Sequence, residues 1–204
     1  MDRSTVNHYT DAAAERVAGY EAVDVSGMQE LMLRHFAPGA RLLEIGCGSG
    51  RDAAFLVSRG RDVTATDASA GMIAAAGQAH PELAGRLVAA PFPLPAKHEL
   101  RQETFDGVYA VAVIMHVPNE ELFEFAFQIK SLLRPGGTVL LSFSTGRPGL
   151  SDDRDQAGRL FLERPAGEIQ LLFERLGFRL LEQRRNADAM GRQVQWHTLV
   201  LRPQ

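Results

Sequence analysis

The chain has 204 residues, 45% of them hydrophobic, and a formal net charge of −3 at pH 7. This length is typical of one domain with a substantial core, so we expect 1–204 to form a single domain. The slight negative charge predicts no nucleic-acid partner. No apolar run reaches the roughly 20 residues that cross a bilayer, and the first residues lack a signal-like apolar segment. With a single cysteine, the sequence favours a cytoplasmic protein without membrane association.

Hydrophobic periodicity predicts two helices, then alternating strands and helices, then two final strands. The predicted helices are 9–20, 27–36, 51–59, 70–79, 119–133 and 166–176. The predicted strands are 41–46, 62–66, 86–89, 105–111, 137–143, 178–184 and 194–201. Strands that alternate with helices indicate a parallel, doubly wound α/β sheet, whereas the last two strands should pair antiparallel. We therefore expect an N-terminal helical cap over 1–40 and a sheet core over 41–204.

The most informative segment is the end of the first predicted strand. An apolar run reaches Glu44, and glycines follow at alternate positions, Gly46, Gly48 and Gly50. Glycine lets the backbone turn sharply and approach a ligand, because it has no Cβ. A helix should begin near 49–52, so that its N-terminal amides point at the same place. A strand, a glycine turn and a helix N-terminus together form a nucleotide-type pocket.

The spacing of the glycines distinguishes between ligands. The dinucleotide fingerprint G-x-G-x-x-G needs a third glycine at position 51, which is occupied by Arg51. This disfavours a nicotinamide-dependent dehydrogenase, and no P-loop motif is present in the sequence. The observed pattern is E-x-G-x-G-x-G. On its own it could also be a structural turn, since glycines end many strands.

A second acidic residue supports a ligand site. Asp67 follows the predicted strand 62–66 and lies 17 residues beyond Gly50. A carboxylate at this place can accept hydrogen bonds from both hydroxyls of a ribose. The alternative is that Asp67 only caps the helix that follows. The spacing from the glycine turn favours the ribose interpretation.

Two later segments complete a family pattern: the Phe105-Asp106 strand and the Leu-Arg-Pro-Gly-Gly turn at 133–137. With the glycine motif and Asp67, they resemble the class I S-adenosylmethionine-dependent methyltransferases, of the small single-domain bacterial type, from about residue 9 to residue 202. The resemblance implies a Rossmann-like, doubly wound, mostly parallel seven-stranded sheet whose last strand is antiparallel. It also implies S-adenosyl-L-methionine as the cofactor and a methyl acceptor as the partner.

The predicted cofactor site lies beyond the carboxyl ends of the first four strands. Its expected residues are Glu44, Gly46, Cys47, Gly48, Gly50, Asp67, Ala68, Met72, Ala90, Pro91, Phe92 and Val111. Many similar enzymes have an acidic residue after the third strand, but this chain has Ala89 and Ala90. Backbone groups at Ala90 and Pro91, with Phe92 as an apolar wall, could hold the adenine instead. Cys47 is expected to fill space, since no paired base is evident.

His116 is the candidate catalytic residue. It follows the fourth strand, and an imidazole with an ordinary pKa near 6.5 suits proton removal from an acceptor. The alternative, which we favour, is that His116 lines the pocket and packs at the start of helix 119–133. Candidate lids are the first helix, with Tyr9 and Tyr20, and the stretch 144–163, whose charges favour a mobile surface loop. No metal-ligand spacing is present, so no metal site is expected.

We therefore predict a methyltransferase that acts on a small-molecule acceptor. The Asp/Asn-Pro-Pro-Tyr/Phe tetrapeptide that similar enzymes use for base amino groups is absent after the fourth strand, which argues against adenine or cytosine methylation. The alternative function is a regulatory or partner module that binds S-adenosylmethionine without turnover. The acceptor atom, the need for a general base and the oligomeric state remain open at the level of the sequence.

Overall fold

The computed structural model describes residues 1–188 and 191–204. Its strands form a seven-stranded sheet in the order β3-β2-β1-β4-β5-β7-β6. The strands are β1 Arg41–Ile45, β2 Asp62–Asp67, β3 Leu87–Ala89, β4 Phe105–Val111, β5 Leu133–Thr145, β6 Phe178–Ala187 and β7 Gln195–Pro203. Pairing is parallel from β3 to β5, and β7 runs antiparallel to both β5 and β6. The predicted Rossmann-like sheet with an antiparallel last strand is confirmed.

Within the described residues, seven α-helices accompany the sheet. They are α1 Arg3–Asp11, α2 Ala13–Glu21, α3 Ser26–His35, α4 Arg51–Ser58, α5 Ala70–Ala79, α6 Asn119–Ser131 and α7 Ala166–Arg175. Short 3₁₀ turns occupy Pro81–Leu83, Glu99–Gln102 and Ile114–His116. Among the helices of the described residues, none has the length and hydrophobicity of a membrane span.

The core lies on both faces of the sheet. Side chains alternate along a strand, so Leu42 of β1 belongs to one buried cluster and Leu43 to the other. The Leu43 cluster includes Phe125 of α6 and Phe173 of α7, whereas the Leu42 cluster includes Leu56 of α4. Covering both faces explains why Leu42, Leu43 and Ile45 of β1 are all apolar and buried.

Two predicted boundaries differ most from the structure. The predicted helix 9–20 is two helices separated at Ala12, and the first begins early because Asp2 caps it by accepting a 2.9 Å hydrogen bond from the Thr5 amide. The fifth strand begins at Leu133 rather than 137, since Leu133 already pairs with Phe105. The turn glycines then form an irregularity inside the strand rather than a break before it.

The N-terminal helices pack across the carboxyl ends of the strands. Ala13 and Val17 of α2 form a small buried cluster with Met72 of α5. A side chain at Gly71 would lie 2.7 Å from the Thr10 carbonyl, so the close approach of α1 and α5 needs glycine there. Arg51, which occupies the place of the third dinucleotide glycine, donates to the Tyr20 carbonyl and so links α4 to the end of α2.

Candidate cofactor and acceptor pocket

The glycine turn after β1 has the left-handed backbone conformation that its glycines allow. Gly46 has φ +73° and Gly48 has φ +56°, in the left-handed region that glycine adopts readily. A Cβ on Gly46 would collide with Cγ2 of Val113. The turn therefore depends on glycine both for its dihedral angles and for the space beside Val113.

Asp67 connects this turn to the second strand. Its Oδ2 accepts a hydrogen bond from the Gly48 amide at 3.1 Å, and its Oδ1 accepts one from the Ser69 amide at 2.9 Å. Burial raises the pKa of Asp67, while these amides act in the opposite direction. The N-cap of α5 is Ser69, whose hydroxyl accepts from the Met72 amide, so the alternative role of Asp67 as the helix cap was wrong. Each carboxylate oxygen retains a second lone pair for a ligand.

Glu44 is a buried acid beside the turn. It is 3% exposed, and its Oε2 has no hydrogen-bond partner within the described part of the chain. Burial, followed by the charge of Asp52, raises the pKa of Glu44 well above its usual value. The buried Tyr109 hydroxyl, which also has no partner of good geometry among the described residues, is close enough to act in the opposite direction on the pKa of Glu44. A buried acceptor this poorly satisfied is unusual in native structures, and a ligand donor would complete it.

These groups line one cavity of about 840 Å³ at the carboxyl ends of the strands. The sequence-predicted residues that reach its wall are Glu44, Gly46, Cys47, Gly48, Asp67, Ala68, Met72, Ala90, Phe92, Val111 and His116. Gly50 and Pro91 do not. Gly50 is the N-cap of α4 and faces Leu83, beneath the turn and away from the cavity. Pro91 is not part of the cavity wall, whereas the next residue, Phe92, is buried and lines it.

Two further predicted contacts acquire a physical description. The Ala90 amide donates to the Asp67 carbonyl at 2.8 Å, so it continues the sheet and is already committed. Cys47 is buried, and burial raises the pKa of its thiol well above the ordinary value. The thiol is therefore protonated at neutral pH, as expected for a residue that fills space.

His116 lies in the 3₁₀ turn after β4, at the other end of the cavity. Its ring is buried, and Nδ1 lies 2.5 Å from the Leu160 carbonyl oxygen. A carbonyl can only accept, so Nδ1 carries the proton and Nε2 of the neutral ring is an acceptor. Nε2 lies 3.3 Å from the Tyr9 hydroxyl. Burial lowers the pKa of His116 to about 4, which keeps the ring uncharged at neutral pH.

Parts of the stretch 144–163 line the pocket, whereas Asp152, Asp153 and Ala157 lie exposed at the surface, as the charges of the stretch suggested. Arg159 is 8% exposed and Phe161 is 5% exposed, and both line the cavity. Arg159 donates to Asp155 Oδ2 from Nε at 3.0 Å and from Nη2 at 2.6 Å, and to the Tyr9 hydroxyl at 3.1 Å. The positive charge of Arg159 is balanced by Asp155, and its N–H groups are hydrogen-bonded, so the guanidinium can be buried. The spacing of Asp155 and Arg159, four residues apart, was the available sequence signal.

A family model described as a methyltransferase domain matches residues 42–137, which include the glycine turn, Asp67 and β4. The match covers just under half of the chain, and it indicates a class I S-adenosylmethionine-dependent methyltransferase. The sequence of this chain is 32% identical over 108 residues to the ubiquinone biosynthesis O-methyltransferase of Xanthomonas campestris pv. campestris. That alignment covers 52% of this chain and 43% of the relative, so the match spans less than half the length of the relative.

Solved structures of methyltransferases share the fold over nearly the whole chain. The 1,6-didemethyltoxoflavin-N1-methyltransferase of Burkholderia thailandensis has a TM-score of 0.75 at 21% identity, covering 98% of this chain and 87% of that one. A TehB-like methyltransferase of Corynebacterium glutamicum has a TM-score of 0.71 at 21% identity, covering 97% and 98%. At these identities the likeness establishes the fold alone.

The pocket fits S-adenosylmethionine, the cofactor of methyltransferases of this class. The cofactor carries an ammonium group, which is the kind of donor that Glu44 Oε2 lacks. It carries a ribose, for which Asp67 presents two carboxylate oxygens at the cavity wall. Its adenine is flat and apolar on its faces, and Phe92 and Met72 supply apolar wall.

Proposed function

We propose that this protein transfers the methyl group of S-adenosylmethionine to a small-molecule acceptor. The observation that carries the proposal is the single cavity that extends from Glu44 and Asp67 to Tyr9 and His116. Donor and acceptor could meet there, because Glu44 and His116 near its two ends are both buried. An interior cavity favours a small molecule over a macromolecular surface. The B. thailandensis neighbour holds 1,6-didemethyltoxoflavin and S-adenosylhomocysteine, and the X. campestris relative is named for ubiquinone biosynthesis.

The chemistry requires positioning more than activation. S-adenosylmethionine supplies a methyl group that its positively charged sulfur already makes electrophilic. In our proposal, Glu44 and the glycine turn hold the amino-acid end of the cofactor, and Asp67 holds the ribose. Tyr9, His116 and Phe161 shape the acceptor end, so that the acceptor faces the methyl group. Fixing two reactants in this way can supply much of the rate of a displacement reaction.

We propose that 1–204 acts as one unit, because Tyr9 and Tyr20 of the N-terminal cap line the same cavity as the sheet residues. The absence of a nucleic-acid partner and the cytoplasmic location stay predictions from composition. The alternative function, cofactor binding without turnover, needs the same glycine turn and Asp67. Only a measurement of turnover separates the two.

Binding and turnover together test the proposed function. We expect S-adenosylmethionine to bind in the micromolar range, as is typical for enzyme ligands, with no measurable binding of NAD. Calorimetry with both ligands checks this, and tighter binding of NAD would contradict the proposal. Release of S-adenosylhomocysteine with a panel of phenols, amines and carboxylic acids then measures turnover. Cofactor binding with no turnover on any acceptor would favour the regulatory alternative.

His116 provides a second test at the acceptor end. We expect His116→Asn to keep turnover within about tenfold of the wild type, because an asparagine amide can still donate to the Leu160 carbonyl. The pKa of His116 is lowered to about 4, so the ring is already deprotonated above about pH 5 and the rate should show no imidazole inflection from there to neutral pH.

Turnover on the best acceptor, measured across pH in both proteins, checks this expectation. A loss of more than about a hundredfold in folded His116→Asn, with cofactor affinity intact, would make His116 the general base. In that case the wild-type rate should rise with pH through a value near 4, and the variant should lack the rise.

A further inference from the structure

The two ends of the cavity carry opposite charges. Over β1 and β2, the charged lining residues are mainly acidic, and three of them are Glu44, Asp52 and Asp67. Over β5, β6 and β7, on the other side of the sheet order, the lining includes Arg147, Arg159 and Arg192. The end that we assign to the cofactor is therefore acidic, and the acceptor end is rich in guanidinium groups.

Two of these three arginines have a carboxylate of their own. Arg159 forms two hydrogen bonds with Oδ2 of Asp155, and Asp155 Oδ1 accepts from the backbone amides of Ala157 and Arg159. Arg192 donates to both oxygens of Asp188, from Nη2 at 2.6 Å and from Nε at 3.0 Å. Their positive charges are locally balanced.

Arg147 is the third guanidinium, and its charge is not balanced in this way. Among the described residues, its guanidinium comes within 4 Å of one carboxylate oxygen, Asp155 Oδ2 at 3.6 Å, which is beyond hydrogen-bond distance and already accepts twice from Arg159. The Glu163 carboxylate accepts from the Arg147 backbone amide at 2.6 Å rather than from the guanidinium. The Arg147 side chain is only 21% exposed. Burial, followed by the charge of Arg159, lowers the pKa of Arg147. An anion bound beside Arg147 would stabilise its charged form and so oppose the lowering of its pKa by burial and by Arg159.

The surroundings of Arg147 are aromatic. Its Cζ lies 4.0 Å from the centroid of the Phe161 ring, and that ring is 4.6 Å from the His116 ring. Trp196 of β7 and Met115 also line this end of the cavity. A ligand with a flat apolar body and one negative group matches these walls.

We propose that the methyl acceptor is a small aromatic carboxylic acid whose carboxylate binds the guanidinium of Arg147. This inference rests on the proposed function, since it names the substrate class of the same site. A planar guanidinium can bind both oxygens of a carboxylate at once. The aromatic ring of the acceptor packs near Phe161, and the carboxylate fixes which face of the molecule turns toward the methyl donor.

Matched acid and amide pairs test the proposal on the full-length protein saturated with S-adenosylhomocysteine. The probes are 4-hydroxybenzoate, salicylate and 3,4-dihydroxybenzoate, each against its neutral amide, measured by calorimetry at neutral pH. We expect at least one acid to bind about 10- to 100-fold more tightly than its amide. Arg147→Met should remove that preference. Arg175→Met is the matched control, because Arg175 is exposed in the last turn of α7 and should leave the preference unchanged.

Several outcomes would overturn this inference while the proposed function stands. One is S-adenosylhomocysteine binding with no acid bound, and another is equal binding of acids and amides. A third is a preference that survives in Arg147→Met. If Arg147→Met does not fold, Arg147→Lys keeps the charge without the planar fork and should reduce the preference by about tenfold. Failure of the wild type to bind S-adenosylhomocysteine would instead contradict the proposed function itself.

Discussion

Gly46→Val should abolish binding of S-adenosylmethionine. Gly46 has φ +73°, a conformation that a branched residue adopts only with strain of more than about 1–2 kcal/mol. Its Cβ would collide with Val113, which lines the same cavity. The turn must move or Val113 must be displaced into the cavity, and either change disturbs the amide of Gly48 and its bond to Asp67. Calorimetry with S-adenosylhomocysteine measures the loss, and circular dichroism verifies that the variant is folded.

A pair of smaller changes separates strain from collision. Gly46→Ala alone keeps the collision with Val113, whereas Gly46→Ala combined with Val113→Ala removes it and leaves only the dihedral strain. We expect the double variant to recover part of the affinity that Gly46→Ala loses. Wild-type affinity in a folded Gly46→Val variant would show that the turn can relax without affecting the site. The Cβ of any side chain at position 46 points at Val113.

Asp67→Ala should weaken cofactor binding by about 1.5–3 kcal/mol, or roughly 10- to 150-fold, the range for hydrogen bonds to a charged group. The change removes the acceptors that we assign to the ribose and also the bond to the Gly48 amide. Asp67→Asn should have a smaller effect, because one acceptor oxygen remains. Titration of each variant with S-adenosylhomocysteine gives the difference in affinity.

A control on the same strand distinguishes ligand binding from stability. Asp62 is the first residue of β2, at the end of the strand away from the cavity, and its exposed carboxylate pairs with Arg86. Asp62→Ala should leave cofactor affinity unchanged. If Asp67→Ala lowers the melting temperature but binds the cofactor like the wild type, the carboxylate only stabilises the turn.

The cofactor end of the site could be predicted because its parts are close in the sequence. Glu44, the glycines and Asp67 belong to one strand-turn-helix-strand unit over 41–67, and parallel pairing brings the ends of β1 and β2 to the same edge. Local propensity and spacing were enough to predict that Asp67 and the glycine turn lie at the same place, and the structure adds the bond from the Gly48 amide to the Asp67 carboxylate. The orientation of individual groups was less predictable, since the sheet itself uses the Ala90 amide and Gly50 turns toward Leu83.

The acceptor end was decided by the tertiary structure. Tyr9 meets His116 and Arg159 across separations of 107 and 150 residues, and the Thr5 hydroxyl accepts from the Leu160 amide. The sequence determined the family pattern, the order of the strands along the chain and the residues of the glycine turn, because these depend on local spacing. Only the tertiary structure decided that Arg159 and Leu160, within the charged stretch 144–163, are buried against α1. Burying an arginine is costly unless other groups balance its charge and accept its hydrogen bonds. The hydrophobic periodicity of the sequence does not reveal which distant side chains provide those groups.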